Sequence, residues 1–147
     1  MVQNPPEGYQ SIIPYICYED GPAAIDFLVQ AFGFEEIMRM PMPDGRIGHA
    51  ELRQFGSVIM VSSTYTEMGL ASPKDLPAHH GQVMCYVEDV DAHHERAKAA
   101  GATITQEPED QFYGDRSYRA VDPEGHRWIF SQHFKDVSEE EMQAHAE

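Results

Sequence analysis

The chain has 147 residues, 41% of them hydrophobic, and a formal net charge of −15 at pH 7. That length fits one domain, or two small halves sharing a core, and the apolar runs are too short to span a bilayer, so no membrane partner is expected. The acidity argues against nucleic acid as a partner, because phosphates would be repelled, and is compatible with a cationic small molecule.

Residues 1–10 read as an extended arm, since Pro5-Pro6 blocks a helix. The arm has neither the basic nor the apolar region of a signal peptide. Cys17 and Cys85 are too few for a disulfide framework, so a reducing, cytoplasmic setting is expected. Ile12–Tyr18 reads as a strand of β-branched and aromatic residues. Asp20 is placed to cap a helix, and Ile25, Leu28, Val29 and Phe32 give it one apolar face. Gly33 suits the left-handed position that ends it. Strands are expected over Phe34–Met40, Ile47–Arg53 and Ser57–Ser62, with turns at Asp44-Gly45 and Phe55-Gly56. A polar connector over 63–81 follows, long enough to be a lid or linker.

The order β-α-β-β-β then recurs. Val83–Val87 reads as a strand, Asp89 caps a helix over 90–100, and Ala102–Gln106 reads as a strand. A loop over Glu109–Asp115 leads to strands Ser117–Val121 and His126–Gln132, joined at Asp122-Pro123-Glu124-Gly125. Ser138 and Glu141 form a capping box for a short helix over 139–146. The two halves are in register: Tyr18 maps to Val87 and Gly56 to Gly125, an offset of 69 residues both times.

Four motifs in this order resemble the vicinal oxygen chelate superfamily, which holds glyoxalase I, extradiol dioxygenases and bleomycin-resistance proteins. They are Tyr18-Glu19-Asp20, Val87-Glu88-Asp89-Val90-Asp91-Ala92, Asp122-Pro123-Glu124-Gly125-His126, and the stretch from Glu109 to Arg116. The last resembles the PhnB-like, drug-resistance-like branch. The resemblance implies an α+β fold: two βαβββ modules forming paired cup-shaped mixed sheets around a cavity, with a short C-terminal helix added. The single domain then divides into a module over 10–62, the connector 63–81, a module over 82–134 and a tail over 135–147. The family's usual homodimer, with grooves at subunit contacts, is expected too.

The resemblance also implies where a divalent metal would sit. The family's ligand positions, on the first and last strand of each half, fall at Ile13, Met60, Gln82 and Ile129. Ile has no lone pair, Met sulfur is soft, and Gln offers a neutral carbonyl oxygen. No metal and no other cofactor is therefore expected at these positions. Strand alternation turns Tyr15 and Cys17 inward with Ile13, and Met84 and Tyr86 inward with Gln82, while Cys85 points away. Arg127 faces inward with Ile129, and Trp128 and Phe130 turn toward the helices. The same reading turns Arg116 and Tyr118 inward. Phe112 and Tyr113 add aromatic surface for a planar ligand. Met38, Met40 and Met42 read as adaptable lining or core filler.

A tight turn at Phe55-Gly56 pairs Glu51 with Met60, which brings His49 and Glu51 to the same face as a candidate base and its orienter. His79-His80 falls in the connector, His93-His94 on the second helix, and His126 points away from the cavity; all five read as structural or surface residues. Three functions follow as expectations. The first is a metal-independent protein that sequesters a planar metabolite or antibiotic. The second is a glyoxalase-like or dioxygenase-like metalloenzyme whose divalent metal has displaced ligands, His49 and Glu51 among them. The third is metal-free acid–base chemistry using His49, Tyr118 or Arg116.

Overall fold

The computed structural model describes residues 2–146; Met1 and Glu147, the end of the expected tail, lie outside the described residues. The first module comprises β1 (Tyr15–Tyr18), α1 (Gly21–Phe32), β2 (Glu35–Pro41), β3 (Ile47–Gln54) and β4 (Ser57–Ser63). The second comprises β5 (Val83–Tyr86), α2 (Val90–Ala99), β6 (Thr103–Asp110), β7 (Asp115–Val121) and β8 (Arg127–His133), followed by α3 (Glu139–Ala146). Each module folds into a four-stranded mixed sheet, ordered β1-β4-β3-β2 and β5-β8-β7-β6. The parallel pairs β1–β4 and β5–β8 need a crossover between their strands, and each helix lies within one.

The caps follow the sequence. Asp20 accepts from Ala23 N at 3.1 Å, Asp89 accepts from Ala92 N at 3.1 Å, and Gly33 ends α1 at a φ of 75°. Ser138 Oγ accepts from Glu141 N at 3.2 Å at the start of α3. Two boundaries differ most from expectation. β1 begins only at Tyr15, since Ile12 lies in solvent, 86% exposed. β6 runs on to Asp110 instead of yielding to a loop at Glu109, because Glu109 and Asp110 pair with Ser117 and Arg116 across β7.

The helix-facing sides of both sheets merge into one core. Phe32 of α1 meets Trp128 and Phe130 of β8 at ring distances of 5.5 and 4.8 Å. Tyr18, Phe32, Tyr118, Trp128 and Phe130 are all essentially inaccessible. A polar clasp binds the halves beside them. Buried Asp122 accepts from Tyr18 Oη at 2.6 Å, Trp128 Nε1 at 3.1 Å, and the backbone amides of Glu124 and His126. Glu124 accepts from the amides of Glu19 and Asp20 and from Ser72 Oγ. His126 Nε2 donates to Cys17 O at 2.8 Å. The Asp-Pro-Glu-Gly-His hairpin of one module thus grips the Tyr-Glu-Asp junction of the other.

Gly114 fixes the tail. Its φ is +94°, and a Cβ there would stand 1.9 Å from the Lys135 carbonyl oxygen. Its own carbonyl accepts from the amides of Phe134 and Lys135. Gly114→Ala is expected to release that segment. Exchange of the Phe134 and Lys135 amides should rise by roughly tenfold or more, with the core of β4 unchanged.

Candidate functional site

The face of the first sheet turned away from the helices carries an open groove of about 600 Å³. Tyr15 and Cys17 of β1, Gly48 of β3 and Ser62 of β4 form its floor, with Met42 at one side. The start of the connector closes the other side. There a 3-10 turn over Thr66–Met68 ends at Gly69, and Tyr65 and Leu70 pair in an isolated bridge. That folded turn sets Tyr65, Met68 and Leu70 against the groove. The Arg46 guanidinium lies 4.3 Å above the Tyr65 ring, a cation–π contact that holds the aromatic wall. Gly48 allows the Met42 side chain to cross its strand, since a Cβ there would lie 2.9 Å from the Met42 sulfur.

A polar row crosses the same face. β1 sets Tyr15 beside Met60, and β3 sets Glu51 beside Met60 from the other side. His49 follows two residues from Glu51, so strand alternation keeps both on one face. Tyr15 Oη lies 2.6 Å from His49 Nδ1, and His49 Nε2 lies 2.8 Å from Glu51 Oε2. Tyr9 of the N-terminal arm donates to the other oxygen of Glu51. The phenol of Tyr9 and the imidazole of His49 hold the Glu51 carboxyl below its usual range. The Cys17 thiol is pushed up, by burial first. Cys17 and Cys85 are both free, and burial on the helix side pushes the Cys85 thiol up to about 11.

The remaining candidates are dispersed. Met84 and Tyr86 line a smaller groove of about 290 Å³ with Ile12, Pro14 and Phe55. Tyr86 Oη donates to Asp115 at 2.9 Å, and His133 bridges Asp115 to Asp136 at 2.7 Å on either side. Phe112 and Tyr113 meet edge to face at 5.2 Å and border α3, where Phe112 stacks on His145. Gln82 is exposed ahead of β5, and Arg127 is exposed at the start of β8.

Two orientations are corrected. Tyr118 faces the helices, fully buried, with its hydroxyl 2.5 Å from His93 Nδ1. Arg116 faces the same way and binds Asp91 of α2 and Asp110 of β6. The cause is register: β7 pairs Tyr118 with Phe130 and Arg116 with Gln132, and Phe130 belongs to the core. In a sheet, residues directly opposite share a face, so both side chains follow Phe130. The sequence reading also missed Tyr65, Met68 and Leu70. Apolar residues at 65, 68 and 70 in an otherwise polar connector were their only signal.

The four positions where the family's metal ligands fall do not fit a hard divalent ion. Met60 and Ile129 are half-buried on their strands, Ile13 is half-buried ahead of β1, and Gln82 is exposed. Three of the four bear no oxygen or nitrogen donor. Among the described residues, no three His, Cys, Asp or Glu side chains converge as a metal site.

Paired βαβββ halves with a ligand-sized groove on a helix-free sheet face define the glyoxalase type of fold. The model of the Glyoxalase/Bleomycin resistance protein/Dioxygenase superfamily matches residues 11–130, and the chain belongs to that superfamily. An uncharacterized protein of Mycobacterium bovis is 37% identical over 137 residues, covering 91% of this chain and 90% of that one. TioX from Micromonospora sp. ML1 superposes with a TM-score of 0.67 at 34% identity, covering 88% of this chain and all of TioX. A glyoxalase I variant from Zea mays shares the fold, with a TM-score of 0.65 at 23% identity over 82% of this chain and 44% of its own. No helix among the described residues is long and apolar enough to cross a membrane.

Proposed function

We propose that the protein is a metal-independent binder that sequesters a planar small molecule, a metabolite or antibiotic, in the groove of the first sheet. One observation carries this reading: a groove of about 600 Å³, walled by Tyr15, Met42, Tyr65, Met68 and Leu70, beside family ligand positions of which three hold no oxygen or nitrogen donor. That volume is in the range of small-molecule sites, and rigid aromatic walls with adaptable methionines suit flat rings. The net charge of −15 favours a cationic ring system. Exposed Tyr15, Met40 and Met42 on the same face support a second copy of the chain closing the groove, and with it a homodimer.

The probe is ethidium, a planar cation, followed by fluorescence anisotropy. Saturable micromolar binding is expected, unaffected by EDTA and weakened about tenfold or more in Leu70→Asn. Binding that disappears with EDTA and returns with one divalent ion would favour the competing reading. There His49 and Glu51, 2.8 Å apart, would be ligands of a glyoxalase-like or dioxygenase-like enzyme. The present geometry supports that reading less, because both His49 ring nitrogens are already engaged.

A further inference from the structure

The polar row beside the groove has a fixed direction. Glu51 is ionised and can only accept, so His49 Nε2 donates to it. A neutral imidazole then keeps its lone pair on Nδ1, and the Tyr15 hydroxyl must donate there. Burial and the charge of Glu51 keep the Tyr15 phenol protonated in the resting protein. Its oxygen still has free lone pairs, and Tyr15 lines the groove. Tyr15 thus brings to the groove lining a hydroxyl that can accept from a ligand and is backed by an imidazole and a carboxylate.

The second sheet carries the same residue types in a different order. There Tyr86 donates directly to Asp115, and His133 is held between Asp115 and Asp136. Those two carboxylates raise the His133 pKa, so its ring favours the protonated form and has no free lone pair to pass a proton to. That arrangement is a clamp. Only the first has phenol, imidazole and carboxylate in the sequence a proton can follow.

We propose that Tyr15, His49 and Glu51 form a proton-accepting relay that selects planar ligands bearing an acidic hydroxyl, a phenol or an enol. The inference rests on the groove reading above and adds the ligand's functional group. The ligand O–H bond breaks and its proton passes to Tyr15 Oη. The Tyr15 proton passes in turn to His49 Nδ1. The products are a ligand anion and an imidazolium held by Glu51, with no oxidant, reductant or metal consumed.

The test uses 4-nitrophenol, whose anion is coloured, against 4-nitroanisole, which has no proton to give. Bound 4-nitrophenol should ionise about one pH unit lower than free, and should bind about tenfold tighter than the anisole. Tyr15→Phe and His49→Gln should each abolish the pH shift. Equal binding of the two probes, with nitrophenol ionising at higher pH as an acidic protein alone would cause, overturns the relay and leaves the groove standing. No saturable binding of either probe overturns the groove and the relay's ligand together. A ligand-free measurement separates these cases. Imidazole nitrogen NMR should find His49 protonated at Nε2 and bare at Nδ1, with the Nδ1 signal moved in Tyr15→Phe. A proton on Nδ1 in the neutral ring overturns the relay directly.

Discussion

Asp122→Ala is expected to cost about 4 kcal/mol of folding stability and to lower Tm by roughly 10 °C or more. Asp122 is 4% exposed and accepts four hydrogen bonds. Two come from its own hairpin, at Glu124 N and His126 N. The third comes from Trp128, whose indole is buried, and the fourth from Tyr18 of the other module. Alanine leaves all four donors without their carboxylate partner at a buried position. Each unsatisfied buried donor costs about 1–3 kcal/mol, less whatever relaxation recovers. Asp122→Asn should cost less, because one amide oxygen can still take two of the four bonds. The measurement is urea unfolding followed by both tyrosine and tryptophan signals. A single cooperative transition moved to low urea supports a clasp that ties the halves into one folding unit. A loss below about 1 kcal/mol would show that the core alone joins them.

This clasp also shows what the sequence could and could not reveal. The Tyr-Glu-Asp and Asp-Pro-Glu-Gly-His motifs were legible as markers of the fold, because turn and cap chemistry restricts which residues fit. That they touch each other was not legible, since about a hundred residues separate Tyr18 from Asp122. The repeat predicts two equivalent turns, yet the halves diverge there. The residues matching Asp122 and Glu124 are Arg53 and Phe55, and they border a groove of about 480 Å³ beside α2 instead of a clasp. For the site, the row of Tyr15, Met60 and Glu51 followed from one tight turn at Phe55-Gly56, where φ is positive at both residues. Tyr118 did not follow, because the five residues linking Val121 to Arg127 set the β7 register, and one residue of slip reverses every side chain. Tyr65, Met68 and Leu70 escaped for a different reason. Their position depends on how a connector folds back, which no periodicity encodes.

Stability is expected to fall as pH drops from about 6.5 to about 4, and His93 is the residue responsible. Its ring lies 4.3 Å from Phe130 and is enclosed by Phe32 and Tyr118. Nε2 lies 2.6 Å from Phe32 O and 3.0 Å from Gln54 Oε1, so it donates to both acceptors. Nδ1 accepts from Tyr118 Oη at 2.5 Å. This set satisfies a neutral ring; a proton on Nδ1 would face a hydroxyl already committed as a donor. Burial, reinforced by the Arg96 charge, pushes the His93 pKa down to about 4. An unfolded histidine takes up its proton near pH 6.5, and the folded one only near 4. Unfolding therefore binds a proton throughout that window. The contribution of His93 is complete above about 6.5 and is lost progressively toward 4, roughly 3 kcal/mol in all. His133 acts in the opposite sense and elsewhere. Asp136 and Asp115 raise its pKa, so its contribution is present below the unfolded value and is lost as pH rises through the folded one. Urea melts across pH 4–7 separate the two. His93→Gln, neutral at every pH and still able to donate to Phe32 O, should be less stable at pH 7 by about 1–2 kcal/mol and nearly flat between 6.5 and 4. If that variant keeps the full acid slope, the proton is bound elsewhere, and His93 is not the group that sets the acid limit of the fold.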